Sequence, residues 1–205
     1  MELFQGHPKL FVVAGPNGAG KTTYVFSTIE RLAGSAEFVN LDEIARGLSP
    51  LRPAAARQRA ARVALEMTRN LIVQRKIFTL ETTLAGKTHL RTLHSAREAG
   101  FKIILLYFCP PAVEVCLSRV ARRVSEGGHD VPEDDIRRRF VRSLHNLPLY
   151  ARLSDLWRMF DVSRLPVRVA AEGRAGCVSV TFDTSGVAAD AGTWVGSLPA
   201  CAESD

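Results

Sequence analysis

Short apolar segments alternate along this chain with longer segments in which apolar residues recur at helical spacing. The short segments have the length and the β-branched content of buried strands, and they lie at 10–14, 37–40, 77–81, 101–109 and 157–162. Strands that alternate with helices predict an α/β domain, with a mainly parallel sheet flanked by helices on both faces. Residues 101–109 form the most hydrophobic strand, which we expect at the centre of the sheet.

The intervening segments predict amphipathic helices over 22–32, 54–75, 88–99, 112–125 and 132–144, with a further helical piece over 148–156. Residues 165–171 and 177–182 predict a C-terminal β-hairpin that turns across 172–176. No linker divides the chain. We therefore interpret residues 1–183 as one domain and residues 184–205 as a tail for which no element is predicted.

The first strand runs into a glycine-rich stretch that fits the phosphate-loop pattern G-x-x-x-x-G-K-[ST]. Its glycines allow a tight turn whose backbone N–H groups point inward as an anion-binding nest. In this pattern Lys21 reaches the β- and γ-phosphates, and the Thr22 hydroxyl is a ligand for Mg²⁺. The predicted nucleotide-binding loop consists of Gly15, Pro16, Asn17, Gly18, Ala19, Gly20, Lys21, Thr22 and Thr23.

The chain is basic, with a net charge of +6 and a pI of about 9.5, and nucleic-acid binding is compatible with that charge. Most of its 27 basic residues are arginines, which bind phosphate oxygens in pairs. Aromatic residues do not alternate with them, as a platform for stacking single-stranded bases would require. We therefore favour a phosphate-handling enzyme over a nucleic-acid-binding protein.

The cysteines, Cys109, Cys116, Cys177 and Cys201, form no C-x-x-C pair. This spacing argues against a zinc or redox motif and predicts reduced cysteines in a cytoplasmic protein. The N-terminus reaches the first strand within ten residues and has no charged-then-apolar leader. The longest apolar run, 103–109, is too short to span a bilayer, so we expect a soluble protein without a membrane partner.

Two carboxylates follow predicted strands at the edge where parallel sheets bind ligands. Asp42 can act as the general base for a substrate hydroxyl, or it can cap a helix that begins near Glu43. Glu81 ends an apolar strand, where it can hold a Mg²⁺-bound water or bind acceptor hydroxyls. The alternative for Glu81 is an exposed charge at a strand end. Thr83 offers a hydroxyl beside it, or simply forms the turn.

Arginines cluster on both sides of a Gly127-Gly128-His129 break. Two arginine-bearing helices joined by a glycine turn predict a lid, about residues 119–142, that brings guanidinium groups onto a transferring phosphate and excludes water. A solvated basic face is the alternative for some of them. The cluster comprises Arg119, Arg122, Arg123, Arg137, Arg138, Arg139 and Arg142.

The chain resembles the zeta toxin-like kinases, which are P-loop proteins of the nucleoside-kinase type. The resemblance is carried by the phosphate loop and by three segments, LDEIA at 41–45, ETTL at 81–84 and GGHDVP at 127–132. The match runs over residues 9–163. This resemblance implies ATP and Mg²⁺ as cofactors and a nucleotide sugar as the acceptor. In the toxins the acceptor is UDP-N-acetylglucosamine, phosphorylated on its 3′-hydroxyl, and an antitoxin protein is the implied partner.

The resemblance also implies roles for individual residues. Lys21 matches the family's phosphate-binding lysine, and Thr22 matches its metal ligand. Asp42 matches the catalytic base, and Arg123 matches a catalytic lid arginine. Glu81 and Thr83 match the positions that bind the acceptor. Arg119 and Arg139 are further candidates for nucleotide binding.

Three features depart from the family pattern. Ala85 stands where the toxins that act on the sugar nucleotide have an arginine. His129 occupies the position of the second lid arginine, for which Arg137, Arg138 or Arg139 can substitute, and the lid connection is shorter. Two alternatives therefore stay open. One is a kinase for another hydroxyl, on a nucleoside, a polynucleotide end or an antibiotic. The other is a nucleotide-dependent switch that binds a protein partner.

Overall fold

The structure is a computed structural model that describes residues 4–24, 37–128 and 130–202. The strands in these ranges form one seven-stranded sheet. The strand order is β2-β3-β1-β4-β5-β6-β7, with β1 to β5 parallel and β6 and β7 antiparallel. The predicted mainly parallel sheet is thus confirmed, and β4 lies at its centre as expected. The strands are β1 (Lys9–Ala14), β2 (Glu37–Asn40), β3 (Phe78–Thr82), β4 (Lys102–Cys109), β5 (Leu156–Asp161), β6 (Arg168–Arg174) and β7 (Cys177–Thr181).

Helices connect the parallel strands, and one further helix follows β7. They are α1, described over Lys21–Tyr24, α2 (Leu41–Leu48), α3 (Pro53–Val73), α4 (Thr88–Glu98), α5 (Val113–Ser125), α6 (Glu133–Leu153) and α7 (Ala189–Gly196). Most of the first predicted helix, beyond residue 24, lies outside the described residues. No helix in the described ranges has the length and apolar composition needed to cross a bilayer.

The prediction of a separate helical piece after Pro148 was wrong, because α6 continues through this residue. Proline removes one helical hydrogen bond and usually kinks or ends a helix. Here packing offsets that cost. Leu147 and Tyr150 are buried on either side of Pro148. The Asn146 side chain also donates to the Leu84 carbonyl, over 2.7 Å, and the Tyr150 hydroxyl donates to the Gly86 carbonyl, over 2.8 Å.

Side chains alternate between the two faces of the sheet, as the period of a strand requires. On β1, Leu10 and Val12 belong to the larger apolar cluster, whereas Phe11 and Val13 belong to a smaller one. Buried residues of α3, α4, α5, α6 and α7 complete the larger cluster. On the other face, the α1 residue Tyr24 packs against Phe108 and Phe160, with ring centroids 4.8 and 5.2 Å away. Helices therefore cover both faces, as predicted.

The C-terminal segment folds back onto the domain. The predicted hairpin is confirmed as β6 and β7, with a turn shorter than expected. After Asp183, Val187 and Val195 are buried in the larger cluster, with α7 between β7 and the end of the chain. This path brings Cys177 and Cys201 into a disulfide, with Cα atoms 5.0 Å apart. The prediction of reduced cysteines was therefore wrong for this pair, because the path of the chain through α7 brings together two positions that are distant in sequence.

Candidate functional site

The carboxyl ends of β1, β2 and β3 meet at one edge of the sheet. In the strand register Glu81 lies opposite both Asn40 of β2 and Val13 of β1. The phosphate loop begins directly after β1, and α2 begins directly after Asn40. Residues that are far apart in sequence consequently line one cleft of about 640 Å³.

Close packing against neighbouring backbone fixes the conformation of the phosphate loop. Gly15 has a φ of +141°, and a Cβ at this position would lie 2.4 Å from the carbonyl oxygen of Phe108. Gly18 has a φ of +77°, and its Cβ would lie 2.7 Å from the carbonyl oxygen of Cys116. Both the backbone angles and the space therefore require glycine. The loop also folds around its lysine, whose Nζ donates to the Pro16 carbonyl over 2.9 Å.

Glu81 lies at the base of this cleft, next to the loop. Its side chain is only 11% exposed, and its Oε1 lies 3.9 Å from Nζ of Lys21, which is 7% exposed. The Thr22 hydroxyl donates to Glu81 Oε2 over 3.2 Å, and the Asn40 amide donates to the same oxygen over 2.9 Å. Glu81 is thus a largely buried, partnered carboxylate, and the alternative of an exposed charge at a strand end is wrong.

Burial acts on both members of the Lys21–Glu81 pair. It lowers the pKa of Lys21, an effect that the negative charges of Glu81 and Asp42 oppose. Burial likewise raises the pKa of Glu81, opposed by the charge of Lys21 and by the hydrogen bonds from Thr22 and Asn40. Both directions express the cost of placing charge away from water. A phosphate bound in the loop would add negative charge near Lys21 and favour its protonated form.

Asn40 caps α2, a role that the sequence analysis offered to Asp42. The Asn40 Oδ1 accepts hydrogen bonds from the backbone N–H groups of Asp42, over 2.8 Å, and Glu43, over 3.2 Å. The capping alternative for Asp42 is therefore wrong, and its carboxylate lines the cleft from the first turn of α2. Asn40 was missed, although asparagine before an acidic first turn is a recognisable helix-start signal.

Two of the predicted arginines hold the phosphate loop from outside. Arg119 of α5 donates from Nη2 to the Val162 carbonyl over 2.6 Å, and from Nη1 to the Gly18 carbonyl over 3.5 Å. Arg139 of α6 donates to Oδ1 of Asn17 over 3.1 Å. Both arginines line the cleft, together with Arg123 of α5.

Arg122 also lines the cleft and pairs with Glu126, whereas Arg137, Arg138 and Arg142 do not line it. Arg137 is half exposed and pairs with Glu133, and Arg138 pairs with Asp135. Neither residue lines the cleft, so of the three substitutes considered for the second lid arginine only Arg139 is brought to it. Arg142 is solvent-exposed, and His129 lies outside the described residues.

The loop after β3 forms the other side of the cleft, where Thr83 lies beside Glu81. His89, at the start of α4, lines the same side, and its Nδ1 is buried without a hydrogen-bond partner among the described residues. Burial lowers the pKa of this histidine, which favours the neutral ring. His89 was not predicted from the sequence, because nothing in its local pattern marks it as a cleft residue.

The residues present fit a nucleotide phosphate and Mg²⁺. The described ranges contain no group of three or more His, Cys, Asp or Glu side chains that would form an all-protein metal site. The Thr22 hydroxyl and the Glu81 carboxylate do offer two adjacent hard oxygen donors. Mg²⁺ commonly keeps several waters and takes only one or two protein ligands beside substrate phosphates. The Thr22 hydroxyl and the Glu81 carboxylate match that number of protein ligands.

Comparisons with known proteins match the same region. The family model AAA_33, an AAA domain, matches residues 10–143. An uncharacterized protein of Haemophilus influenzae is 32% identical over 134 residues, which cover 64% of this chain and 92% of the relative.

Solved structures show the same fold at low sequence identity. A structure of AvrRxo1-ORF1 and -ORF2 with ATP has a TM-score of 0.68 and 19% identity, over 85% of this chain and 60% of the other. A structure from the PezAT chromosomal toxin–antitoxin system of Streptococcus pneumoniae has a TM-score of 0.59 and 15% identity, over 82% and 72%. A putative kinase from Chloroflexus aurantiacus has a TM-score of 0.53 and 16% identity, over 66% and 78%.

The matched residues 10–143 include the phosphate loop and all the residues that line the cleft. The chain therefore belongs to this AAA domain family of P-loop proteins.

Proposed function

We propose that the protein is an ATP- and Mg²⁺-dependent phosphotransferase that moves the γ-phosphate of ATP to a hydroxyl of a small molecule. One observation carries this proposal. Lys21, Asp42 and Glu81, from three separate segments, line a single cleft with Arg123 and Arg139. Phosphoryl transfer needs cations for the phosphate and a carboxylate for the acceptor hydroxyl, and this cleft combines the two.

On the donor side, the phosphate loop binds the ATP phosphates through its backbone N–H groups, and Arg119 and Arg139 keep that loop in place. Lys21 and Arg123 offset the charge on the transferring phosphoryl group. Thr22, with Glu81 beside it, would hold Mg²⁺, which neutralises charge on the phosphates when bound.

On the acceptor side, Asp42 accepts the proton of the acceptor hydroxyl as that oxygen bonds to phosphorus. The bond between phosphorus and the leaving oxygen breaks, and its electron pair stays on ADP. Thr83 and Glu81 orient the acceptor by hydrogen bonds. Because Asn40 already caps α2, the carboxylate of Asp42 is not needed for capping and is available for this role.

We further propose a nucleotide sugar such as UDP-N-acetylglucosamine as the acceptor. Support comes from the LDEIA and ETTL segments that resemble the zeta toxin-like kinases and carry Asp42 and Glu81. The similarity in fold to a toxin–antitoxin structure suggests an antitoxin protein as a partner.

The test incubates the purified protein with Mg²⁺, labelled ATP and a panel of acceptors headed by UDP-N-acetylglucosamine. We expect Asp42→Asn to reduce transfer about 10²- to 10⁴-fold, the usual contribution of general base catalysis. Glu66→Gln is the matched control, since Glu66 is an exposed carboxylate that does not line the cleft. It should leave the rate within about twofold, and both variants should still bind ATP.

Each other outcome has a distinct meaning. Equal transfer by the wild type and Asp42→Asn would remove Asp42 as the base. Transfer to a different hydroxyl would keep the reaction and discard the nucleotide sugar. ATP binding without transfer to any acceptor would favour a nucleotide-dependent switch over an enzyme.

A further inference from the structure

A second arginine, Arg57, lines the cleft with Arg139. Arg57 lies near the start of α3, and it lines both the main cleft and a small pocket between α2 and α3. Asp42 lines the same two cavities. Burial is the main cause of the lowered pKa of Arg139, and the positive charge of Arg57 is the next. Two like charges from different helices are therefore held close to each other beside Asp42.

Unlike Arg46 and Arg139, Arg57 has no counterion among the described residues. In the described part of the chain it makes neither an ion pair nor a hydrogen bond, and its side chain is exposed. Arg46, which lines the same pocket, is bound by both carboxylate oxygens of Glu43 at 2.8 Å. Arg139 is paired with Asp135 at 2.8 Å.

Arg57 lies where α2 packs on α3, at the pocket that Asp42 also lines. Ala56 and Ala60 are buried on the inner face of α3, and Ala45 is buried on α2, so the two helices meet through small side chains. Arg57 directly follows one of these buried alanines and lies at the rim of the contact. The long guanidinium thus remains free to contact a ligand in the cleft.

We propose that Arg57 binds a phosphate group of the acceptor, so that the acceptor is a phosphorylated alcohol. This rests on the proposed function. A phosphorylated acceptor is repelled by the carboxylate of Asp42, and an unpaired guanidinium that lines the same cleft offsets the repulsion. The planar fork of arginine binds two phosphate oxygens at once, and Arg139 adds a second positive charge. Arg57 is then a specificity-determining residue on the α3 side, in a chain that has Ala85 in the loop after β3.

Binding is measured by calorimetry on protein loaded with Mg²⁺ and a non-hydrolysable ATP analogue. One probe is UDP-N-acetylglucosamine. The other probes are two pairs, each of a phosphorylated compound and its unphosphorylated partner: N-acetylglucosamine 1-phosphate and N-acetylglucosamine, and uridine 5′-monophosphate and uridine. The variants are Arg57→Ala and Arg57→Lys. Arg59→Ala is the matched control, because Arg59 is an exposed arginine of the same helix that does not line the cleft.

We expect at least one phosphorylated probe to bind the wild type about tenfold or more tightly than its unphosphorylated partner. Arg57→Ala should weaken that probe roughly ten- to a hundredfold, the range for a lost hydrogen bond to a charged group. Binding of the unphosphorylated partner and of the ATP analogue should stay unchanged. Arg57→Lys should fall between, because an ammonium keeps the charge but not the fork. Arg59→Ala should match the wild type.

Three results would overturn the role of Arg57. In the first, no phosphorylated probe binds better than its partner. In the second, Arg57→Ala weakens both members of a pair equally, or weakens the ATP analogue instead. In the third, Arg59→Ala reproduces the effect. Failure of the phosphotransferase proposal is distinct, since it would appear as Arg57-dependent binding without any transfer of label.

Discussion

Replacing Asn40 with alanine tests how one buried side chain joins α2 to the base of the cleft. Asn40 is 7% exposed, and its Oδ1 accepts from two backbone N–H groups of α2 while its amide donates to Glu81. Loss of a helix N-cap costs about 1 kcal/mol. Loss of a donor to a buried carboxylate costs about 1–3 kcal/mol more. We therefore expect Asn40→Ala to lower the free energy of unfolding by about 2–4 kcal/mol.

Asn40→Asp separates these two contributions. An aspartate keeps an oxygen to cap α2, but it removes the amide donor and brings a second carboxylate to Glu81. Burial already raises the pKa of Glu81, and a neighbouring negative charge raises it further. Below that raised pKa one carboxyl is protonated and can donate a hydrogen bond to the other, whereas above it the two charges repel. The destabilisation by Asn40→Asp should therefore grow as the pH rises.

The assay is urea unfolding followed by far-UV circular dichroism at about pH 5.5 and about pH 8. The reasoning would be refuted by an Asn40→Ala variant within about 0.5 kcal/mol of the wild type, which is the range of an ordinary surface substitution. The electrostatic part would be refuted by an Asn40→Asp variant with the same loss at both pH values.

Three further predictions concern stability. Gly47→Ala should raise the free energy of unfolding by roughly 0.5–1 kcal/mol, because glycine inside a helix such as α2 is less stable than alanine by that amount. The added Cβ would meet no atom within 4 Å, so no clash opposes this gain. A lower urea midpoint would contradict the prediction. Burial lowers the pKa of His89, so stability should be full above the ordinary value of 6.5 and fall as pH drops through it. The melting temperature of His89→Gln should lack this dependence, whereas His94→Gln, an exposed control, should keep it. Cys201→Ser should cost about 3 kcal/mol, and a reductant should lower the melting temperature of the wild type but not of this variant.

The sequence alone determined the parts of the protein that depend on local pattern. Hydrophobic periodicity predicted the order of strands and helices and the central position of β4, because strands and helices repeat at different spacings. The phosphate loop was recognisable because its glycines, Lys21 and Thr22 lie within nine consecutive residues. Asp42 and Glu81 were expected near that loop, since the carboxyl ends of parallel strands meet at one edge.

The side chains that meet across the chain are known only from the folded structure. The register of β2 and β3 places Asn40 opposite Glu81, and the Asn40 amide donates to that carboxylate. In this position Asn40, and not Asp42, is the N-cap of α2. Packing of α6 against the loop after β3 carries that helix through Pro148. The fold-back of α7 joins Cys177 to Cys201. Contacts of this kind depend on register and close packing between distant segments, and no local periodicity encodes them.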